Sequence, residues 1–375
     1  MSPVTRTDRP TVAVVLCAWR AGPHLEAQLD SLAAQDWPVR VYAFDDASGD
    51  ATASRLAAHP VVHELVERQT NLGFVGNFEA GIAHALARGH DHVALADQDD
   101  LWHPDRVRAG MEPLLDAERE RGADAPLLAH SDLRLVDAAG RPIHDSFLAR
   151  RGYATGAARD LPTLLGQSGV MGNTVLFNRA LAELALPFPP GLFVHDWWLG
   201  LCAELFGTRL FVARATVDYR LHAGNASNPA GTANGLDAVA PGVAGGNAAR
   251  RALARAARAL RAALAHQSPA TLLARDFRLP FKEDGRVGTL EALLAGDGHR
   301  PALRGEARRT VRTFVDYLRL ARPRATLARD MLGRGYLRPA AAHRLRFCAA
   351  LLLTRRYGAG RDAPTPPSPD APRGR

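Results

Sequence analysis

The chain has 375 residues, 47% of them hydrophobic and 23% charged, and a net charge of +8. That balance excludes a largely disordered polypeptide and leaves room for one large α/β domain with an appendage. The arginine excess lies mostly after residue 249 with no recognition motif of interleaved aromatics, which excludes nucleic acid as a partner.

The three cysteines, Cys17, Cys202 and Cys348, are odd in number and lack the spacing of a zinc site or a disulfide frame. The apolar run TVAVVLCAW near the N-terminus is too short and wrongly flanked for a secretion signal, and no stretch reaches the roughly 18 apolar residues of a membrane span. These features predict a soluble, cytoplasmic protein, either free or attached peripherally to the inner face of the plasma membrane.

Along the first hundred residues strand and helix signals alternate, the pattern of a parallel sheet covered on both faces. Val12 to Ala18 reads as a buried strand, and a helix runs from Pro23 to Ala34 with Leu25, Leu29 and Leu32 on one face. A second strand, Val39 to Phe44, ends in DDASGD, where Ser48 or Asp50 is placed to cap the next helix. Val61 to Val66 is a third strand, NLGFVGNF a glycine-punctuated loop, and Asn77 to Ala87 a helix. Val93 to Ala96 is the fourth strand, and a helix resumes near Pro104.

Further strands are expected at LLAHSDLRLVD and NTVLFN, with a turn at Ala139–Gly140 between them. HDWWLGLCAELFG reads as a helix closed by Gly207, and Arg209 to Val212 and Thr216 to Leu221 as two short strands. Residues 229–248 are rich in Gly, Ala, Asn and Pro and read as a linker. From 249 to 357 the chain is an Ala/Arg-rich helical extension, with Arg251, Arg255 and Arg258 opposite Leu253, Leu260 and Leu264 and a second basic stretch over His343 to Arg356. Residues 358–375 read as a disordered tail.

The fourth strand runs straight into Asp97, Asp99 and Asp100. Unpaired carboxylates at a strand end are costly unless a cation sits among them or water solvates them. In an extended backbone Asp97 and Asp99 point to the same side, and two oxygen ligands plus a diphosphate suit Mg²⁺ or Mn²⁺. The plainer alternative is that Asp99 or Asp100 caps the helix near Pro104. An EF-hand loop is excluded, because Leu101, Trp102 and Arg108 stand where its ligands and glycine belong. An aspartyl-phosphatase motif is nearer, but Leu101 departs from it, and in that fold the motif follows the first strand.

Six motifs taken together carry more than any one alone: VVLCAWRAGPHLEAQLDSLAAQ, AFDDASGDAT, NLGFVGNFEAG, LADQDDLWHPDRV, HDWWLGLCAELFG and YRLHAGNASN. Their order and spacing resemble family-2 glycosyltransferases of the GT-A fold, especially the bacterial rhamnosyltransferase-like branch, across about residues 9–228. The resemblance implies a mixed, mainly parallel sheet flanked by helices, forming a catalytic domain over 9–228. It also implies metal-dependent, inverting transfer of a sugar, rhamnose being one candidate, from a TDP- or UDP-sugar to a glycan or lipid-linked glycan of the cell surface.

By the same resemblance Asp45 and Asp46 grip the base and ribose, with Asn71 and Gly73 in the loop beside the nucleotide. Asp97 and Asp99 serve the metal and diphosphate, His222 completes the metal shell, and Arg220 faces the diphosphate. Asp196 is the catalytic base, which a helix N-terminus would tend to keep ionised. His195 orients it or joins Trp197 and Trp198 at the acceptor, although one of two adjacent helical tryptophans usually points into a core. Two other readings remain at this point, a metal-dependent aspartyl phosphatase and a catalytically silent carbohydrate-binding relative. The basic helices of the extension either lie on an anionic membrane surface or pack against the catalytic domain.

Overall fold

The computed structural model describes residues 9–153, 160–222, 285–296, 298–319, 321–333 and 336. Among the described residues nine strands form one sheet: β1 (Val12–Ala18), β2 (Val39–Asp45), β3 (Val62–Glu67), β4 (His92–Ala96), β5 (Leu101–Trp102), β6 (Leu127–Val136), β7 (Pro142–His144), β8 (Leu176–Asn178) and β9 (Thr208–Arg220). Their order is β3-β2-β1-β4-β8-β6-β9-β5, with β7 paired to β6. The β3-β2-β1-β4 part is parallel. Strand β8 runs antiparallel to both neighbours, while β9 is parallel to β6 and antiparallel to β5.

The central strands β1 and β4 are almost continuous apolar runs because both faces of a parallel sheet are covered. Period-two alternation divides their side chains. Ala13 and Val15 enter one core cluster, and Val12, Val14 and Leu16 the other. The second cluster is sealed by α1 (Leu25–Ala33), α2 (Thr52–Ala58), α4 (Arg106–Arg121) and α5 (Phe147–Arg150). The first is sealed by α3 (Gly73–Ala87), α6 (Leu161–Gln167), α7 (Arg179–Ala185) and α8 (His195–Phe206).

Three helices of the extension are described: α9 (Arg286–Ala295), α10 (Gly305–Leu318) and α11 (Arg324–Gly333). They pack against the sheet domain, adding Leu290, Leu294, Val311, Phe314, Leu327 and Tyr336 to the first core cluster. Helix α10 turns Arg308, Arg309 and Arg312 to solvent. The two basic stretches singled out by pattern, around Arg251–Arg258 and His343–Arg356, lie outside the described residues, as do the linker and the tail. No described helix is long and apolar enough to cross a membrane.

Several boundaries differ from the pattern reading. NLGFVGNF is not a loop throughout: α3 already begins at Gly73, and Asn77 is buried inside it. Gly73 takes a φ of 71°, which relieves the turn into the helix, and Asn71 Oδ1 accepts its N–H at 3.0 Å. The N-cap position of α2 is Ala51, and the capping is done by Asp50, whose Oδ1 accepts the Thr52 N–H at 2.9 Å. Ser48 is instead bonded to Asp45. The two short strands expected after Gly207 are one strand of 13 residues, whose register against β6 shifts around Asp132. A bulge lets the strand continue through residues that do not alternate, which pattern alone reads as a break.

Gly207 stands at a close backbone approach between α8 and β9. A Cβ there would lie 1.8 Å from the Pro126 carbonyl oxygen, which is backbone and cannot step aside. Gly207→Ala is therefore expected to destabilise the fold by about 2–3 kcal/mol, read as a lower urea midpoint.

Candidate active site

The carboxyl ends of β1, β2 and β4 lie side by side at one edge of the sheet. The strand order reverses at β1, since β2 lies on one side of it and β4 on the other, and such a switch point opens a crevice for ligands. Register places Ala18 beside Asp45, and Leu16 beside Ala96, the residue before Asp97. Asp45, Asp46 and Asp97 thus reach the same crevice. Trp19, just past β1, is fastened to this edge, with its N–H donating to Gln98 Oε1 at 2.8 Å and its carbonyl accepting from Gln98 Nε2 at 3.2 Å.

Asp45 and Asp46 are both buried. Ser48 donates to Asp45 through its hydroxyl and its backbone N–H, closing the DDAS turn. Asp46 Oδ1 accepts the Leu72 N–H at 2.8 Å, and its carbonyl accepts Asn71 Nδ2 at 2.9 Å. These bonds lock the NLG segment to the end of β2. Cys17 lies between the two acidic groups: burial, Asp97 and Asp46 push its thiol up, while Arg68 opposes them.

The sheet itself brings His222 to Asp99. Antiparallel pairing of Leu101 with Asp218 returns the end of β9 to the acidic segment, and the Arg220 N–H donates to Asp100 Oδ1 at 3.3 Å. His222 Nε2 then lies 3.0 Å from Asp99 Oδ2. His24, which the motif reading passed over, completes this corner with its ring centroid 5.1 Å from that of His222. Arg220 does not stand open towards a diphosphate. It is buried, and its guanidinium donates to the carbonyls of Asp99 and Ala138 at 3.2 and 3.0 Å. Asp100 does not cap a helix either. It is fully buried and accepts from Asn173 Nδ2 as well as from the Arg220 N–H.

Asp196 approaches from the other side, in the first turn of α8. A 3-10 turn, Gly172–Thr174, joins it to the acidic cluster. Its Gly172 N–H donates to Asp196 Oδ2 at 3.0 Å, while the next side chain, Asn173, holds Asp100. The Trp197 N–H donates to Asp196 Oδ1 at 2.5 Å. A Cβ at Gly172 would sit 2.7 Å from His195 Nε2, so this close approach requires glycine. Neither Gly172 nor Asn173 is flagged by motif; Asn173 reads as the first residue of the NTVLFN strand, whereas β8 begins only at Leu176 and Asn173 lies in the 3-10 turn before it.

Electrostatics separate the carboxylates. Burial, reinforced by Asp99 and then Asp196, raises Asp97 to about 7. Burial also raises Asp99, with His222 pulling the other way, and raises Asp100 well above the ordinary range. Burial lifts Asp196 to about 6 against the backbone N–H groups that favour its charged form. The expected dominance of the helix N-terminus is thus reversed, because desolvation at a covered helix end outweighs the dipole.

The aromatic part of the motif reading is corrected. Trp197 and Trp198 are both buried in the core, with Trp198 Nε1 donating to the Ala185 carbonyl at 3.0 Å, so neither offers a face to an acceptor. His195 does not orient Asp196. Its ring stacks on Phe78 with centroids 4.2 Å apart, neither ring nitrogen has a hydrogen-bond partner, and burial lowers its pKa to about 3.

Among the described residues no group of three or more His, Cys, Asp or Glu side chains converges to hold a metal ion. Asp99 and His222 are two adjacent donors with the half-buried Asp97 nearby, and burial and mutual repulsion resist ionisation of both carboxylates. That set fits a divalent cation whose remaining ligands are diphosphate oxygens and water.

Residues 10–228, more than half of the chain, match the family described as Glycosyltransferase like family 2. Galactofuranosyltransferase GlfT1 of Mycobacterium tuberculosis (strain H37Rv) is 34% identical over 176 residues, 46% of this chain and 55% of that protein. Succinoglycan biosynthesis protein ExoO of Rhizobium meliloti is 33% identical over 114 residues, 30% of this chain and 32% of that protein. The match thus spans about half the length of the first relative and about a third of the second. Among solved structures, S. aureus TarS 1-349 in complex with UDP-GlcNAc is 15% identical with a TM-score of 0.45, covering 87% of this chain and 89% of that one. Mannosyltransferase PcManGT from Pyrobaculum calidifontis in complex with GDP-Man and Mn2+ is 22% identical with a TM-score of 0.44, covering 84% and 87%. With a mixed, mostly parallel sheet between helical layers and all six motifs falling within the matched span, the chain belongs to glycosyltransferase family 2 and has its GT-A architecture.

Proposed function

We propose that the protein is an inverting glycosyltransferase that moves a sugar from a nucleoside-diphosphate donor to a hydroxyl of a cell-surface glycan. The observation that carries this reading is the division of the carboxylates. Asp99 meets His222 on one side of the crevice with Asp97 close to Asp99, while Asp196 stands on α8, held by two backbone N–H groups.

Asp45 and Asp46, locked by Ser48 and Leu72, shape the wall for the base and ribose, with Asn71 and Gly73 closing it. Asp99 and His222, with Asp97 alongside, are the side chains that would hold Mn²⁺ or Mg²⁺. When bound, such a cation supplies charge neutralisation to the departing diphosphate. Asp196 takes the proton of the acceptor hydroxyl as that oxygen bonds to the anomeric carbon. The bond from that carbon to the diphosphate oxygen breaks on the opposite face, and the nucleoside diphosphate leaves with the electron pair. One displacement inverts the configuration without a covalent enzyme intermediate.

Names of the relatives, a galactofuranosyltransferase and a succinoglycan biosynthesis protein, support galactofuranose as a sugar to try and a polysaccharide as product; rhamnose and a UDP- or TDP-sugar donor follow from the motif resemblance alone. The phosphatase alternative is set aside. Its nucleophile would follow the first strand, where this chain has Trp19 and Arg20 and no carboxylate.

Calorimetric titration of UDP, TDP and GDP with and without Mn²⁺ tests the reading. One nucleotide is expected to bind, at least tenfold more tightly with the metal. Absence of binding by all three under every metal condition would overturn it.

A further inference from the structure

With Trp197 and Trp198 in the core, the crevice lacks the aromatic surface that the motifs had assigned to the acceptor. Four large apolar side chains stand exposed among the described residues: Trp19 (49%), Leu72 (47%), Phe74 (51%) and Phe193 (40%). They are not scattered. Trp19 is tied to Gln98, between Asp97 and Asp99, and Leu72 is tied to Asp46, so both stand on the donor side. Phe74, in the first turn of α3, has its ring centroid 6.0 Å from that of His195, the neighbour of Asp196. Phe193 precedes His195 by two residues, and the Arg286 guanidinium lies over its ring at 4.7 Å.

His195 reinforces the pattern. It is 5% exposed, stacked on Phe78 and edge-on to Phe74, and its two ring nitrogens have no hydrogen-bond partner among the described residues. A neutral imidazole stacked in this way serves as an aromatic floor rather than as a hydrogen-bonding group. The segment leading to Asp196 is thus flanked by aromatic surface, where an acceptor hydroxyl must come to give up its proton.

We propose that Phe74 is the acceptor platform: an uncharged sugar lays its C–H face on the Phe74 ring and so turns its nucleophilic hydroxyl towards Asp196. The face of an aromatic ring is electronegative and attracts the weakly positive C–H groups of a sugar, and a rigid ring orders its partner at little entropic cost. This deepens the transferase reading and rests on it. Phe74 acts on the acceptor and takes no part in the proton transfer.

The test is saturation-transfer NMR on the full chain, loaded with Mg²⁺ and the nucleotide identified by calorimetry. Methyl β-galactofuranoside and methyl α-rhamnopyranoside are the probes, and aromatic protons are irradiated. Transfer to the ring C–H protons of at least one glycoside is expected in the wild type, at least fivefold lower in Phe74→Ser, and retained in Phe74→Trp. Unchanged transfer in Phe74→Ser overturns the proposal, as does absence of transfer to both glycosides in nucleotide-loaded wild type. A loss of nucleotide affinity in Phe74→Ser that parallels the loss of transfer also overturns it, by assigning the ring to the donor. Failure of wild type to bind any nucleotide is the separate result that removes the transferase reading itself.

Discussion

Asp196→Asn is expected to lower the rate of sugar transfer by about 10²–10⁴-fold, the usual contribution of a positioned general base, with a much smaller effect on nucleotide affinity. The amide keeps the shape and accepts a backbone N–H through its oxygen, yet cannot take a proton. The pH profile gives an independent check. Only the ionised carboxylate is a base, and burial places its pKa at about 6. The kcat/KM of the wild type should therefore be level above about pH 6.5 and fall tenfold per unit well below 6. A profile that stays flat down to pH 4.5 would show that no carboxylate raised to about 6 acts as the base, since a group with that pKa is mostly protonated there.

The second large effect is expected at Asp99. Asp99→Ala removes the carboxylate that meets His222 Nε2 at 3.0 Å, leaving His222 without that partner. Metal-dependent nucleotide binding should weaken by at least about 100-fold, comparable to losing one charged ligand, as read by calorimetry in Mn²⁺. The stability of the metal-free protein should move the other way. Asp97 and Asp99 have folded-state pKa values raised above that of an ordinary aspartate, so the folded state binds more protons than the unfolded one. Their ionisation costs stability as pH rises from about 4, with the Asp97 penalty complete above about 7. Deleting Asp99 relieves that cost, and metal-free Asp99→Ala should melt higher than wild type at pH 8 with the gain shrinking towards pH 4. A variant that loses nucleotide binding while melting lower at pH 8 would instead be misfolded at the crevice.

The described helices of the extension answer part of the question posed by the basic C-terminal third. Helices α9, α10 and α11 bury leucines and aromatics in the same core that covers α6 and α8. Arg300 reaches back to the carbonyls of Leu184, Ala185 and Pro187, at the end of α7. This part of the extension therefore helps to hold the layer from which Asp196 projects.

Sequence by itself determined the features that depend on local pattern. Continuous apolar runs identified β1, β2 and β4, and the rule that ligands gather at the carboxyl ends of parallel strands placed Asp45, Asp46 and Asp97 in one crevice before any coordinates. HDWW announced a helix start with a carboxylate in its first turn, and that start is Asp196 in α8. The tertiary structure decided what depends on contacts between distant residues. Pairing of β5 with β9 brought His222 to Asp99 across 123 positions, and a 3-10 turn supplied Gly172 and Asn173 to two different carboxylates. Burial, which no motif records, took Trp197 and Trp198 into the core, left Phe74 and Phe193 exposed, and raised Asp196 where a helix dipole alone would have lowered it. The physical reason is the same in each case: periodicity states which face of an element is apolar, but only packing states what covers that face and which charges it removes from water.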